Sequence, residues 1–133
     1  MTLFPYTTLF RSRFWPISAE RTVQMLASET RLAPRPLVEI RSEMIAAARR
    51  QNGSAAAVEA VRAIRRRELF RVAAADLLGE IDVLEVGEAL TDVTSATIDA
   101  ALETVRHDAE SQPVPRIAVI AMGRWGGREL SYA

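Results

Sequence analysis

Several residue types that particular chemistries require are absent from these 133 residues. The chain has no cysteine and no lysine, and it has a single histidine. Without cysteine there is no disulfide framework and no thiolate metal site, which fits a reducing compartment, so we expect a cytoplasmic protein. Without lysine there is no phosphate-binding P-loop, because its Gly-Lys-Ser/Thr sequence needs that residue.

An excess of one charge is also missing. The 17 positive and 17 negative side chains cancel, so no overall field attracts nucleic acid or an anionic membrane. No apolar run approaches the ~20 residues that cross a bilayer. We therefore expect neither nucleic acid nor a membrane as a partner, whereas the apolar share of 49% is sufficient for a globular core.

Residues 1–12 do not read as natural protein sequence. Thr2–Ser12 has the sequence TLFPYTTLFRS, which matches the translation of a common short-read sequencing adapter. Its proline and threonines interrupt the continuous apolar core that a secretory signal needs. We interpret residues 1–12 as an adapter-derived artefact, and the fold prediction begins at Arg13.

Residues 13–112 predict a helical region, because apolar residues recur there at three- and four-residue spacing. The spacing predicts three long amphipathic helices, after a short one that follows Ser18. Their apolar stripes are Leu37, Ile40, Met44, Ile45 and Ala48; Val58, Val61, Ile64, Leu69, Val72, Ala73 and Leu77; and Val86, Leu90, Val93, Thr97, Ala101, Leu102 and Val105. These stripes must bury against each other, so we expect a mainly α helical bundle.

Start and stop signals separate these helices. Pro36 suits the first turn of one helix, which should stop at Asn52-Gly53. Ser54 is predicted to cap the next helix, which Gly79 closes. Asp82, with a glutamate three residues later at position 85, predicts a capping box for the last helix.

Residues 113–133 differ in character from the helical region. After a polar, proline-rich connection, Ile117–Met122 is continuously apolar, which predicts a strand buried on both faces. A glycine-rich turn, Gly123-Arg124-Trp125-Gly126-Gly127, follows directly. We expect the incomplete start of an α/β domain, whose remaining strands lie beyond Ala133.

The glycine-rich turn is the candidate site for a nucleotide. Without a Cβ atom, glycine lets backbone N–H groups approach a phosphate closely, and the start of a helix favours negative charge. The candidate nucleotide-binding residues are Gly123, Gly126, Gly127 and Arg128, the last because a guanidinium pairs with phosphate. The spacing G-x-x-G-G does not match the dinucleotide fingerprint G-x-G-x-x-G. Close packing of the turn is the alternative interpretation.

A strand followed by Gly-Gly resembles the polymerase-β-like nucleotidyltransferases, in which a later acidic pair binds metal. Three segments make the resemblance more specific. Ile117–Tyr132 (IAVIAMGRWGGRELSY), Arg65–Gly79 (RRRELFRVAAADLLG) and Asp82–Leu90 (DVLEVGEAL) resemble the glutamine synthetase adenylyltransferase family. GGREL is more similar to its C-terminal, adenylylating half, although Ser131 replaces a usual Gly and Trp125 a usual Phe or Leu.

The resemblance implies transfer of AMP from ATP to a tyrosine of glutamine synthetase, with Mg²⁺, under the control of a PII-type nitrogen-signalling protein. A second half of the enzyme would remove the AMP by phosphorolysis. The family's Ser-Asp-x-Asp motif would begin just after Ala133, so no catalytic residue and no metal ligand can be assigned. We therefore expect a piece of the enzyme, without AMP-transfer activity of its own.

Two alternatives stay open at the level of sequence. The arginine-rich helix around Arg62–Arg71 is compatible with a helical interaction or nucleic-acid-binding module, although interspersed acidic residues favour an ordinary solvated face. A different nucleotidyltransferase family would share the acidic pair but not the protein substrate. The single histidine, His107, lies in a charged stretch and is predicted to be solvated.

Overall fold

The structure is a computed structural model, and it describes residues 32–108 and 116–132. The described residues belong to one compact unit, Arg31–Ala133. The interpretation of residues 1–12, the helix predicted after Ser18 and residues 109–115 of the proline-rich connection lie outside the described residues.

Four helices make up the described part: α1 (Leu37–Arg49), α2 (Ser54–Leu77), α3 (Val83–Asp108) and the single turn α4 (Gly123–Gly126). The three long helices pack against one another in all three pairs. The predicted mainly α architecture is therefore confirmed for the described residues. None of these helices is both long enough and apolar enough to cross a membrane.

Small residues dominate the core between the three long helices. Ile40 and Met44 of α1 are almost completely buried, and Val93 of α3 lies in the same cluster. Most of the other buried members are alanines, which allow helices to approach closely. They are Ala47, Ala48, Ala57, Ala96 and Ala100. The middle of each predicted stripe is thus buried as expected.

Several outer residues of the second and third predicted stripes are exposed, including Ala101. Val58, Leu77 and Val105 have 37%, 87% and 59% of their surface accessible, so their prediction as core residues is wrong. Val58 lies in the first turns of α2, Leu77 is its last residue, and Val105 lies in the final turn of α3. Apolar periodicity identifies the inward face, but it does not tell where the neighbouring helix ends.

The helix starts agree with the sequence in two cases out of three. Pro36 occupies the N-cap position of α1 in an extended conformation. The Asp82 carboxylate accepts hydrogen bonds from the backbone N–H groups of Leu84 and Glu85 at 2.8 and 2.9 Å, and the Glu85 carboxylate accepts one from Asp82 N–H at 2.8 Å. The predicted capping box is present. The prediction of Ser54 as a cap is wrong, because Gly53 holds that position with φ 97°.

The strand predicted for Ile117–Met122 is not formed within residues 116–132. The segment has no assigned ladder, and Ile120 and Met122 are 79% and 78% exposed. Met122 has the dihedral angles of extended backbone. A strand requires a neighbouring strand for its hydrogen bonds, and the described residues contain none.

Candidate functional site

The glycine-rich sequence forms the helical turn α4 itself. Gly126 N–H donates to the carbonyl of Met122 at 3.2 Å, and Gly127 N–H donates to that of Gly123 at 2.9 Å. Within residues 32–108 and 116–132, no carbonyl accepts from the first three N–H groups of the turn, at Gly123, Arg124 and Trp125. The backbone donors available to an anion therefore lie at the beginning of α4.

Two of these positions require glycine for identifiable reasons. A Cβ atom on Gly126 would lie 2.7 Å from the carbonyl oxygen of Ala121, which is closer than any real Cβ contact. Gly123 has φ 56°, in the left-handed region that favours glycine. The chain can make this tight reversal after Met122 only because neither residue has a side chain.

The chain reverses again immediately after α4. Arg128 has φ 61°, which is uncommon for a residue with a side chain and costs on the order of 1 kcal/mol. Two hydrogen bonds close the loop: Glu129 N–H donates to the Arg124 carbonyl at 2.7 Å, and the Arg124 guanidinium Nε donates to the Glu129 carbonyl at 3.1 Å. Residues 124–129 thus form a small closed loop.

Helix α3 supports this loop along one face. Trp125 Nε1 donates to Ser95 Oγ at 3.1 Å, and Arg128 Nη2 lies 3.0 Å from Asp92 Oδ1. A Cβ atom on Gly87 would lie 3.2 Å from the Arg128 carbonyl oxygen, so the two backbones are in close contact there. The loop is held by a hydrogen bond, an ion pair and backbone packing.

Residues 130–132 continue the contact with the helices. Leu130 packs against a second apolar cluster, which contains Val72 of α2 and Val86, Ala89 and Leu90 of α3. Partial burial, together with the neighbouring Asp76 carboxylate at the end of α2, raises the pKa of Tyr132 to about 12. The segment that follows the glycines is therefore docked on α2 and α3.

The four residues predicted to bind nucleotide are neighbours in this loop, but they differ in what they contact. Gly126 and Gly127 already donate their N–H groups to carbonyls, and the Arg128 guanidinium is paired with Asp92. Gly123 is the one of the four whose N–H has no acceptor in the described residues. Their role in nucleotide binding remains a prediction.

Sequence reasoning did not identify the supporting residues on α3. Gly87, Thr91 and Ser95 recur at four-residue spacing, with Asp92 beside them, so small and polar residues share one face of an otherwise apolar helix. That pattern was a usable signal. It indicates a face against which a backbone or a polar side chain packs.

The arginine-rich helix is largely engaged in ion pairs. Arg67 and Arg71 of α2 both contact the buried Glu68 carboxylate. Arg67 Nη2 lies 2.6 Å from Glu68 Oε1, and Arg71 Nε lies 3.2 Å from Glu68 Oε2. Arg67 also donates two hydrogen bonds to Glu43 of α1, which lower the pKa of that carboxyl to about 2. Arg67 thus joins α2 to α1, and Arg71 neutralises a buried carboxylate of its own helix, so the nucleic-acid alternative gains no support.

The described residues do not contain a metal site. Within residues 32–108 and 116–132, no three His, Cys, Asp or Glu side chains are close enough together to hold an ion. His107 is exposed, as predicted. The carboxylates that a divalent metal prefers are dispersed over the long helices, where several of them pair with arginine.

Comparison with known proteins identifies the family. The chain matches curated proteins named bifunctional glutamine synthetase adenylyltransferase/adenylyl-removing enzyme. The Cutibacterium acnes protein is 48% identical over 115 residues, which are 86% of this chain and 11% of that protein. The Nocardia farcinica protein is 42% identical over 132 residues, which cover 91% of this chain and 13% of that protein. The Streptomyces coelicolor protein is 43% identical over 115 residues, which cover 76% of this chain and 12% of that protein.

The chain therefore spans about an eighth or less of the length of these relatives. No solved structure matches it. The profile of the family described as Glutamate-ammonia ligase adenylyltransferase matches residues 14–133, nearly the whole chain. This match confirms the resemblance seen in the sequence, and the chain belongs to the glutamate-ammonia ligase adenylyltransferase family.

Proposed function

We propose that this chain is part of an enzyme that transfers AMP from ATP to a tyrosine of glutamine synthetase. Residues 13–112 form the helical region that precedes the catalytic core, and residues 113–133 begin the nucleotidyltransferase domain. In the longer protein, Ile117–Met122 is the first strand of that domain. The observation that carries the proposal is the glycine turn α4, with available N–H donors at its start, immediately after an apolar segment whose last residue, Met122, is extended.

The geometry of α4 suits the binding of a triphosphate. The N–H groups of Gly123, Arg124 and Trp125 have no acceptor within the described residues, and oriented amides stabilise anions. Gly126 permits the close reversal that brings them together, while Gly127 closes the turn. Arg128 adds positive charge within the loop, and its side chain is half exposed.

The proposed reaction is a substitution at the α-phosphorus of ATP. The tyrosine oxygen forms the new bond to phosphorus, the bond to the bridging oxygen of the β-phosphate breaks, and pyrophosphate leaves. The tyrosine proton passes to a base. The residues described here do not fit a Mg²⁺ site, because no carboxylate cluster is present among them, so we assign no step to that ion.

The substrate rests on the relatives, and the regulatory partner rests on the family resemblance of the sequence. Their printed name couples glutamine synthetase adenylylation with removal of the adenylyl group, and we extend both activities to the longer protein to which this chain corresponds. We assign the present segment to the adenylylating half. A PII-type nitrogen-signalling protein is the proposed regulatory partner. A cytoplasmic location is consistent with these assignments.

The test is a transfer assay on the protein encoded by the uninterrupted reading frame that contains residues 13–133. Glutamine synthetase incubated with this protein and ATP labelled at the α-phosphate should acquire one label per modified tyrosine. The Gly126→Ala variant should lose most of the activity, because its methyl group collides with the Ala121 carbonyl. Ser54→Ala is the control, since Ser54 makes no capping hydrogen bond and lies on α2.

Two results would contradict the proposal. The first is a reading frame in which no acidic doublet follows Tyr132 within the next strand. The second is a protein that binds ATP and labels some other acceptor but never glutamine synthetase. The second result would leave the nucleotidyltransferase chemistry in place and assign it to a different family of substrates.

A further inference from the structure

We propose that Asp92 is a positioning residue that fixes Arg128 and, together with Ser95, holds the loop of residues 124–129 against α3. The contacts that hold the loop all lie within the described residues. The consequence for ATP use rests on the proposed function. None of the residues of α3 was identified as a site residue from the sequence.

The three contacts with the loop come from one face of α3. Gly87 and Ser95 are eight residues apart, or roughly 12 Å along the helix axis, and Asp92 lies between them. Gly87 contacts the backbone of residues 128–130, at the end of the loop. Asp92 pairs with the Arg128 side chain, and Ser95 accepts the hydrogen bond from Trp125. Three contacts spread over that length fix both the position and the orientation of the loop, which a single contact cannot do.

Asp92 is the most important of the three residues, because its carboxylate is largely buried. Its side chain is 16% exposed, and its Oδ1 atom is fully buried without a well-aligned hydrogen bond. Burial of an unpaired carboxylate is costly, so the ion pair at 3.0 Å is what compensates it. On the other side, the left-handed backbone of Arg128 is unfavourable for a residue with a side chain. Each residue thus offsets an unfavourable feature of the other.

Arg128 retains the capacity to bind an anion while it is held. A guanidinium has five N–H donors, and the ion-pair contact with Asp92 is made by Nη2. The side chain is 48% exposed. Asp92 therefore acts through Arg128 and through the loop, without contacting the nucleotide.

Positioning and simple electrostatics predict opposite effects of an Asp92 substitution on ATP binding. Replacing Asp92 by asparagine removes a negative charge near the phosphates, which by charge alone would tighten ATP binding. Positioning predicts the opposite, because the freed guanidinium and loop must then be ordered by the ligand. We expect the KM for ATP to rise about three- to fivefold, the worth of one ion pair of this exposure, with kcat little changed.

The first experiment measures the loop in the 133-residue chain. Trp15→Phe leaves Trp125 as the only tryptophan, and acrylamide quenching then reports its accessibility. Asp92→Asn, Ser95→Ala and Arg128→Gln should each increase the quenching constant. Asp99→Asn is the matched control, since Asp99 lies on the same helix and pairs with Arg41 at 3.2 Å, away from the loop. Far-UV circular dichroism verifies that each variant is folded.

The second experiment measures the KM for ATP and kcat of the longer protein that carries the same substitutions. A lowered KM in Asp92→Asn, or unchanged quenching in Asp92→Asn and Arg128→Gln, would overturn the inference. Asp92→Glu should restore part of the wild-type KM. If the unmodified longer protein transfers no AMP, the proposed function fails, and quenching still decides whether Asp92 positions the loop. If Asp92→Asn does not fold, Arg128→Gln tests the same ion pair from its exposed side.

Discussion

Glu68 and Arg71 lie one turn apart on α2 and are both almost completely buried, with Arg71 Nε 3.2 Å from Glu68 Oε2. Arg67 and Arg35 contact the same Glu68 carboxylate at 2.6 and 3.0 Å, and both also contact Glu43 of α1. We call these five residues the buried ionic cluster. It ties α2 to α1 and to Arg35, which lies two residues before α1 begins.

Replacement of Glu68 should destabilise the fold more than any exposed charge. Glu68→Gln keeps the shape of the side chain but removes the negative charge that three arginines share, so we expect a loss of about 3 kcal/mol in the free energy of unfolding. Urea denaturation followed by circular dichroism measures it. Glu59→Gln breaks the exposed pair with Arg62 and should cost less than about 0.5 kcal/mol. Equal losses in the two variants would show that the cluster has no special role.

The cluster also predicts how stability depends on pH. Hydrogen bonds from Arg67, and then from Arg35, lower the pKa of Glu43 from 4.5 to about 2. A lowered folded-state pKa stabilises the fold above the unfolded value, so this contribution is complete above pH 4.5 and is lost as the pH falls toward 2. Glu43→Gln should therefore flatten the decline in urea midpoint over that range. A variant that declines as steeply as the unmodified chain would contradict the assignment.

These residues illustrate what the sequence could reveal. Periodicity predicted the helices and the centre of the core around Met44 and Val93, because one face of each helix must be apolar. It did not predict the buried ionic cluster. Arginines and glutamates at helical spacing read as a solvated face, and only the approach of α1 places Glu43 opposite Arg67.

In the candidate site, too, the sequence revealed the local feature but not the contacts between distant residues. Glycine spacing and the family resemblance indicated where the loop lies, because a missing side chain leaves a signature in one segment of sequence. The residues that support the loop, Asp92 and Ser95, come from a helix about thirty residues earlier. The small and polar face of α3 signals that something packs there, but no local pattern encodes that its partner is this loop. The apolar segment before the loop was predicted as a strand, but a strand forms only where a neighbouring strand supplies hydrogen bonds, and the described residues contain none.

The two adjacent glycines of the loop should respond differently to alanine. A methyl group on Gly126 would lie 2.7 Å from a backbone oxygen, whereas on Gly127 the nearest atom, the Gly123 carbonyl oxygen, would be 3.4 Å away. Gly127 also has φ −78°, which alanine adopts readily. We expect Gly126→Ala to shift the backbone amide resonances of residues 121–128 widely and Gly127→Ala to shift them locally. Similar spectra for both variants would mean that the turn is looser than its contacts indicate.

The starts of α2 and α3 provide a test of capping in one chain. Asp82 satisfies two backbone N–H groups at the start of α3, so Asp82→Ala leaves those donors to water and should cost about 1 kcal/mol. Ser54 is the first residue of α2 and makes no capping hydrogen bond, so Ser54→Ala should be neutral or slightly stabilising, because alanine has the higher helix propensity. Urea midpoints of the two variants decide between the structure and the sequence pattern, which assigned a cap to both positions. A comparable loss from Ser54→Ala would mean that the serine hydroxyl does cap α2 in solution.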